Sequence, residues 1–172
     1  AAAKKKSTDD AIRKKESKAS PSQETDAEPD VTKTPIDRAW NRLKKPMLAK
    51  LTSTHHDNTG WMYEPKYDGY RAVTKIRNGK VEMVSRNGIS FNKQYAALIP
   101  ELERFEDDLI LDGEVVIEDR RGISNFQLLQ NYTTTRKGIL RYYVFDLLYL
   151  NGYPVDKLPL HQRRELLEAV FT

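Results

Sequence analysis

From Trp40 onward, apolar and polar positions alternate in short runs broken by turn residues, whereas residues 1–39 contain no Phe, Tyr or Trp. Asn-Gly pairs at 78–79, 87–88 and 151–152 punctuate the later part. The β-rich runs between them predict strands over 61–66, 70–77, 80–85, 109–118 and 141–149. Helical spacing fits 95–105, with Pro100 in a first turn, and 124–131, with Ser124 as cap. A third helix is expected over 160–171, where Leu160, Leu166, Leu167, Val170 and Phe171 form an apolar stripe. These elements predict an α+β fold, mainly antiparallel sheet with flanking helices. No internal repeat is visible.

The first 39 residues read differently. Ala, Lys, Ser, Thr, Asp, Glu and Pro dominate them, and residues 1–34 hold eight basic and seven acidic side chains, a net charge of +1. Such a segment cannot bury enough apolar surface to offset its ordering entropy, so disorder is expected. Its lysines could touch DNA, but a solvated interdomain linker is the plainer reading. The expected organisation is therefore a linker over 1–39 followed by a folded part over 40–172.

The Asn78-Gly79 turn between two alternating runs is a strong hairpin signal. A two-residue turn there pairs Arg77 with Lys80, Lys75 with Glu82 and Val73 with Val84. Continuing the register sets Arg71 opposite Arg86. Ala72, Thr74, Ile76, Val81, Met83 and Ser85 share the other face, which is expected to meet the core. Like charges directly opposite destabilise a sheet unless an anion sits between them. The pair could splay into water or clamp a phosphate.

Just before this hairpin stands Glu64-Pro65-Lys66-Tyr67-Asp68-Gly69-Tyr70-Arg71. A lysine at a strand end, near phosphate-binding arginines, can act as a nucleophile when neutral. With an ordinary pKa of ~10.4 it needs burial or nearby positive charge to supply free amine at pH 7. Gly69 permits a tight turn, and Asp68 could stabilise that turn or orient Lys66.

Composition sets outer bounds. The chain has 172 residues, a net charge of +4 and no cysteine, which excludes disulfides, thiolate metal sites and thiol catalysis from it. So small a positive charge is compatible with nucleic acid without establishing it. No apolar run approaches the ~18 residues of a membrane span and no signal peptide opens the chain, so a soluble intracellular protein with no membrane contact is expected. Neither G-x-x-x-x-G-K-[ST] nor G-x-G-x-x-G occurs, so phosphate cradling by a helix N-terminus is not indicated. His55 and His56 beside Asp57 lack partners at metal-like spacing and read as loop residues. His161 reads as structural, and 132–137 (YTTTRK) as a polar loop.

Three further segments follow the Lys66 motif in order: Ser85-Arg86-Asn87-Gly88, then Leu111-Asp112-Gly113-Glu114-Val115-Val116, then Tyr143-Val144-Phe145-Asp146-Leu147-Leu148-Tyr149-Leu150-Asn151-Gly152. The ordered series resembles the adenylation domain of ATP-dependent DNA ligases, within the covalent nucleotidyltransferases, and looks most like the bacterial end-joining ligase D group. The resemblance covers about residues 46–172.

That resemblance implies an ATP-grasp-like nucleotidyltransferase fold, present here in its N-terminal part. It also implies roles. Lys66 matches the lysine that attacks the α-phosphate of ATP and becomes lysyl-AMP. Glu64 matches the residue that recognises adenine. Arg71 matches the arginine near ribose and phosphates. Arg86 matches the arginine assigned to AMP and to the nick 5′-phosphate. Glu114 matches the glutamate that holds the ribose hydroxyl and helps place Mg²⁺ or Mn²⁺, and Phe145 matches the ring that stacks on adenine. A hard cation suits the Glu114 carboxylate, although Glu114 and Phe145 would also pass as ordinary strand residues.

The implied cofactors are ATP and a divalent metal, and the implied partner is nicked or broken DNA in double-strand break repair. End-joining proteins, fused repair domains and a location at the bacterial nucleoid come with the same likeness. The family's downstream metal-glutamate and second lysine motifs, and its OB-fold, do not follow Thr172, so the chain alone is not expected to seal nicks. RNA ligase or mRNA guanylyltransferase chemistry is the alternative enzyme reading. A non-catalytic nucleotide- or DNA-binding module is the alternative of another class.

Overall fold

Asn78 and Gly79 both adopt positive φ, 48° and 67°, the backbone a two-residue hairpin turn demands. In the computed structural model, which describes residues 34–51, 53 and 60–172, this turn joins β1 (Tyr70–Arg77) to β2 (Lys80–Ser85). The expected register is found: Arg77 faces Lys80, Lys75 faces Glu82 and Val73 faces Val84. β3 (Leu109–Glu118), β4 (Ile139–Leu150) and β5 (Tyr153–Pro154) complete an antiparallel sheet of order β2-β1-β3-β4-β5. α1 (Pro35–Leu43), a 3₁₀ turn (Ala96–Leu98) leading into α2 (Ile99–Leu102), α3 (Phe126–Thr135) and α4 (Leu160–Val170) flank it. The fold is α+β, as the alternation predicts.

One sheet face buries Ala72, Ile76, Met83, Leu109, Leu111, Val115 and Ile117 against Phe91, Tyr95, Leu129 of α3 and Leu167 of α4. The opposite face is also covered. Val73, Val84, Ile110, Leu148 and Tyr149 pack on Ile36, Ala39, Trp40 and Leu43 of α1. Those four residues recur at i, i+3, i+4 and i+7, an apolar helical stripe inside an otherwise polar stretch. The expected boundary after residue 39 therefore falls within a helix, and residues 35–39 belong to the folded part.

Charged contacts bind α1 to the sheet. Asp37 meets Lys75 at 3.2 Å and Arg77 at 2.8 Å, and Trp40 Nε1 donates to Glu82 at 3.0 Å. Arg42 grips Asp156 through two bonds of 2.5 and 2.9 Å. The Thr34 hydroxyl, followed by Lys75 and Arg77, lowers the Asp37 carboxyl, and the Arg42 guanidinium lowers that of Asp156, each from the ordinary 3.8. A carboxyl lowered on folding adds stability above its unfolded pKa and loses it as pH falls through the folded value. Docking of α1 is thus expected to hold at neutral pH and to fail only below about pH 4. Trp40 emission in a Trp61→Phe background reports it; a transition above pH 5 would contradict this account.

Four local expectations change. Residues 61–66 form no strand: Pro65 offers no N–H, and β1 already has β2 and β3 on its two sides. Arg86 does not face Arg71, because pairing ends at Ala72–Ser85 and the chain turns through Gly88, whose N–H bonds to the Ser85 carbonyl. Arg71 instead lies opposite Glu114, a favourable charge pair. The cap of α3 is Asn125, whose side chain accepts the Leu128 N–H at 3.0 Å, and 132–135 are helical rather than loop. His55, His56 and Asp57 lie outside the described residues. No helix among the described residues is long and apolar enough to cross a membrane.

Candidate active site

Arg71 of β1, Glu114 of β3, and Tyr143 and Phe145 of β4 border one cavity with residues 62–67, which join no strand. Together with Arg164 of α4 they line this cavity, of about 500 Å³. Glu64, Lys66, Arg71, Glu114 and Phe145 all border this cavity. Arg86 does not: on its turn it is exposed and off the cavity lining.

Gly69 sets the path of the lysine segment, for a reason other than a turn. A Cβ at this position would lie 2.2 Å from the Val115 carbonyl oxygen, 2.8 Å from Val116 Cγ1 and 3.0 Å from Glu114 Cγ. Only a residue without a side chain lets the backbone approach β3 this closely, and at that approach the Gly69 N–H reaches the Glu114 carboxylate. Tyr67 then stacks on Tyr143, with ring centroids 4.1 Å apart and planes within 6°. The Tyr143 hydroxyl bonds Glu118, which also pairs with Arg141 at 3.3 Å. Gly69→Ala is expected to cost about 1–3 kcal/mol in urea unfolding, because rigid backbone must yield. The same variant should pull Lys66 out of register, which its rate of nucleotide labelling would reveal.

Arg71 is held rather than free. Its Nε and Nη2 bond the two oxygens of Asp112 at 2.6 and 2.8 Å, and Asp112 is fully buried. The guanidinium also sits 4.4 Å from the centre of the Phe145 ring. Burial pushes the Asp112 carboxyl up, opposed by Arg71. Burial likewise raises Glu114, against Arg71, the Gly69 N–H and the charge of Lys66. Lys66 is exposed at the mouth, so access rather than burial characterises it.

Among the described residues no three His, Asp or Glu side chains converge as a metal cluster. Glu114 supplies one carboxylate beside the lysine, which fits a hard cation completing its shell with phosphate oxygens and water. The arrangement suits an anionic, planar ligand: two arginines and an accessible amine line the same cavity as an aromatic ring and two carboxylates.

The sequence reading missed Arg164, Tyr67, Tyr143 and the anchoring function of Asp112. Arg164 hid within a helix read for its apolar stripe, where the adjacent Arg163-Arg164 pair was the available signal.

Residues 46–172 match the family model for the ATP dependent DNA ligase domain. The multifunctional non-homologous end joining DNA repair protein LigD of Mycobacterium tuberculosis is 34% identical over 133 residues, covering 72% of this chain and 17% of that protein. LigD of Pseudomonas aeruginosa is 37% identical over 116 residues (64% and 13%), and a DNA ligase of Methanococcus aeolicus 32% identical over 142 (74% and 25%). The crystal structure of the M. tuberculosis LigD ligase domain superposes with a TM-score of 0.58 at 33% identity, covering 63% of this chain and 36% of that one. A mycobacterial DNA ligase D complexed with ATP and MES gives the same values. The chain thus spans about a sixth of the mycobacterial LigD it matches. With three quarters of its length inside the family model, and with the lysine, arginine and carboxylate gathered at one cavity, this chain belongs to the ATP dependent DNA ligase domain family.

Proposed function

We propose that the chain supplies the nucleotide-binding face of an ATP-dependent DNA ligase and that Lys66 is its nucleophile. The observation that carries this reading is the exposed Lys66 amine on the same 500 Å³ cavity as Arg71, Glu114 and Phe145. In this reading the neutral Lys66 Nζ donates its lone pair to the α-phosphorus of ATP. The bond from that phosphorus to the bridging oxygen breaks, pyrophosphate leaves, and the nitrogen releases its proton to solvent. AMP then passes from Lys66 to a DNA 5′-phosphate, and a neighbouring 3′-hydroxyl displaces it to seal the strand.

Phosphoryl transfer depends mainly on alignment and charge neutralisation. Arg71, held rigidly by Asp112, offers fixed positive charge, and Glu64 and Phe145 receive the base. Mg²⁺ or Mn²⁺ held by Glu114 would offset phosphate charge. Arg86, outside the cavity, is assigned to the DNA 5′-phosphate rather than to ATP. Residues upstream of α1 serve as interdomain linker, and α1 onward is part of the adenylation domain. The likeness to LigD proteins favours work on broken DNA ends inside the cell, alongside other end-joining components.

The test is mass spectrometry of the full protein after incubation with ATP and Mg²⁺, then with nicked DNA. One AMP on Lys66, discharged by nicked DNA, is the expected result. Labelling by GTP in place of ATP would favour a guanylyltransferase. Discharge onto RNA alone would favour an RNA ligase. No adduct with any divalent metal would sink the enzyme reading.

A further inference from the structure

Arg163 and Arg164, consecutive on α4, hold consecutive residues of β4. Arg163 grips the Asp146 carboxylate through bonds of 2.7 and 2.8 Å and donates to the Leu158 carbonyl at 2.5 Å. Arg164 has other partners. Its Nη1 donates to the Phe145 carbonyl at 3.0 Å and to Glu64 Oε1 at 3.2 Å, a residue one hundred positions earlier. A single nitrogen thus ties the strand carrying the cavity's aromatic ring to the segment carrying the carboxylate and Lys66.

We infer that Arg164 is a positioning residue for base recognition: it fixes the Glu64 carboxylate relative to the Phe145 ring, so that the two read one base as a unit. This rests on the proposal that the cavity takes ATP. A carboxylate held through one oxygen still offers acceptor lone pairs on the other, and an acceptor at a set place beside a ring selects a base with an N–H donor there. Adenine carries such a donor in its exocyclic amino group. Without Arg164 the Glu64 side chain regains rotamer freedom, and the amino group loses a partner in fixed position. Both contacts of Arg164 pass through Nη1, so a lysine amine could restore them.

The test compares Lys66 labelling of the full protein by ATP and by the purine nucleoside triphosphate lacking the 6-amino group. Wild type should prefer ATP by about ten- to a hundredfold in kcat/KM, the range for one hydrogen bond to a charged group. Arg164→Ala should lose most of that preference, mainly by raising KM for ATP and leaving the other nucleotide nearly unaffected. Arg164→Lys should restore it. Glu64→Gln should lower the preference, and adding Arg164→Ala to it should lower it little further. Arg164 is about one-third exposed, so the alanine variant should fold, which thermal unfolding verifies. A residue that only braces the fold would depress both nucleotides equally, and equal depression overturns the inference while leaving the ligase reading intact. Failure of wild type to label with ATP removes that reading and the inference together. Labelling by ATP with no preference in wild type overturns the inference alone.

Discussion

Lys66→Arg is expected to abolish nucleotide labelling altogether while leaving stability within about 0.5 kcal/mol of the parent, as for other exposed substitutions. Arginine retains the positive charge at the cavity mouth, so any role of Lys66 as a simple phosphate anchor would survive. Its guanidinium does not deprotonate in proteins, however, and supplies no free lone pair for attack on phosphorus. Charge retained and chemistry lost is thus the signature of a nucleophile. The readouts are intact-mass analysis after ATP and Mg²⁺ and an equilibrium binding titration with ATP. Labelling that persists on another lysine would remove Lys66 from the mechanism; binding lost along with labelling would make it an anchor instead.

The largest stability effect is expected at the Arg163–Asp146 pair. Both side chains are about nine-tenths buried, and two short bonds satisfy the carboxylate. Removing one partner leaves an uncompensated charge in the interior, which costs about 3–5 kcal/mol. Arg163→Met should lower stability by that amount in urea unfolding, a large share of the ~5–15 kcal/mol a domain possesses. Adding Asp146→Leu should recover much of the loss, because the desolvation cost disappears with the charge. A single variant within about 1 kcal/mol of wild type would mean that water reaches Asp146 and screens it. The pair also anchors α4 against the strand that presents Phe145, so stability and site geometry share this contact.

Much of the sheet was legible because its signals are local. Alternation and the Asn78-Gly79 turn define β1 and β2, and a two-residue turn leaves one register, so the pairing of Val73 with Val84 follows. β3 could be read from the apolar triplets at 109–111 and 115–117 that flank Asp112-Gly113-Glu114, and both its faces are covered. The stripe of α1 was present as well, but Ile36 and Ala39 are sparse among charges and carry little weight until a sheet face needs covering. The run at 61–66 shows the converse: β propensity without an available partner yields no strand.

Five of the six candidate site residues share one cavity, although they come from separate stretches of chain. Their order along the sequence was recognisable; their convergence is a product of the strand order β2-β1-β3-β4-β5. That order sets β3 beside β1, gives Arg71 its buried partner Asp112 and leaves Arg86 outside on its turn. α4 packs on β4 at Phe145 and Asp146, where Arg164 reaches Glu64.

By itself, then, the sequence determined β1 to β4, the hairpin register and the residue types available for chemistry, since each depends on neighbours a few positions away. The tertiary structure decided which charges meet. Long side chains such as those of Arg71, Arg86 and Arg164 can reach many partners, and only the packing of distant elements selects one.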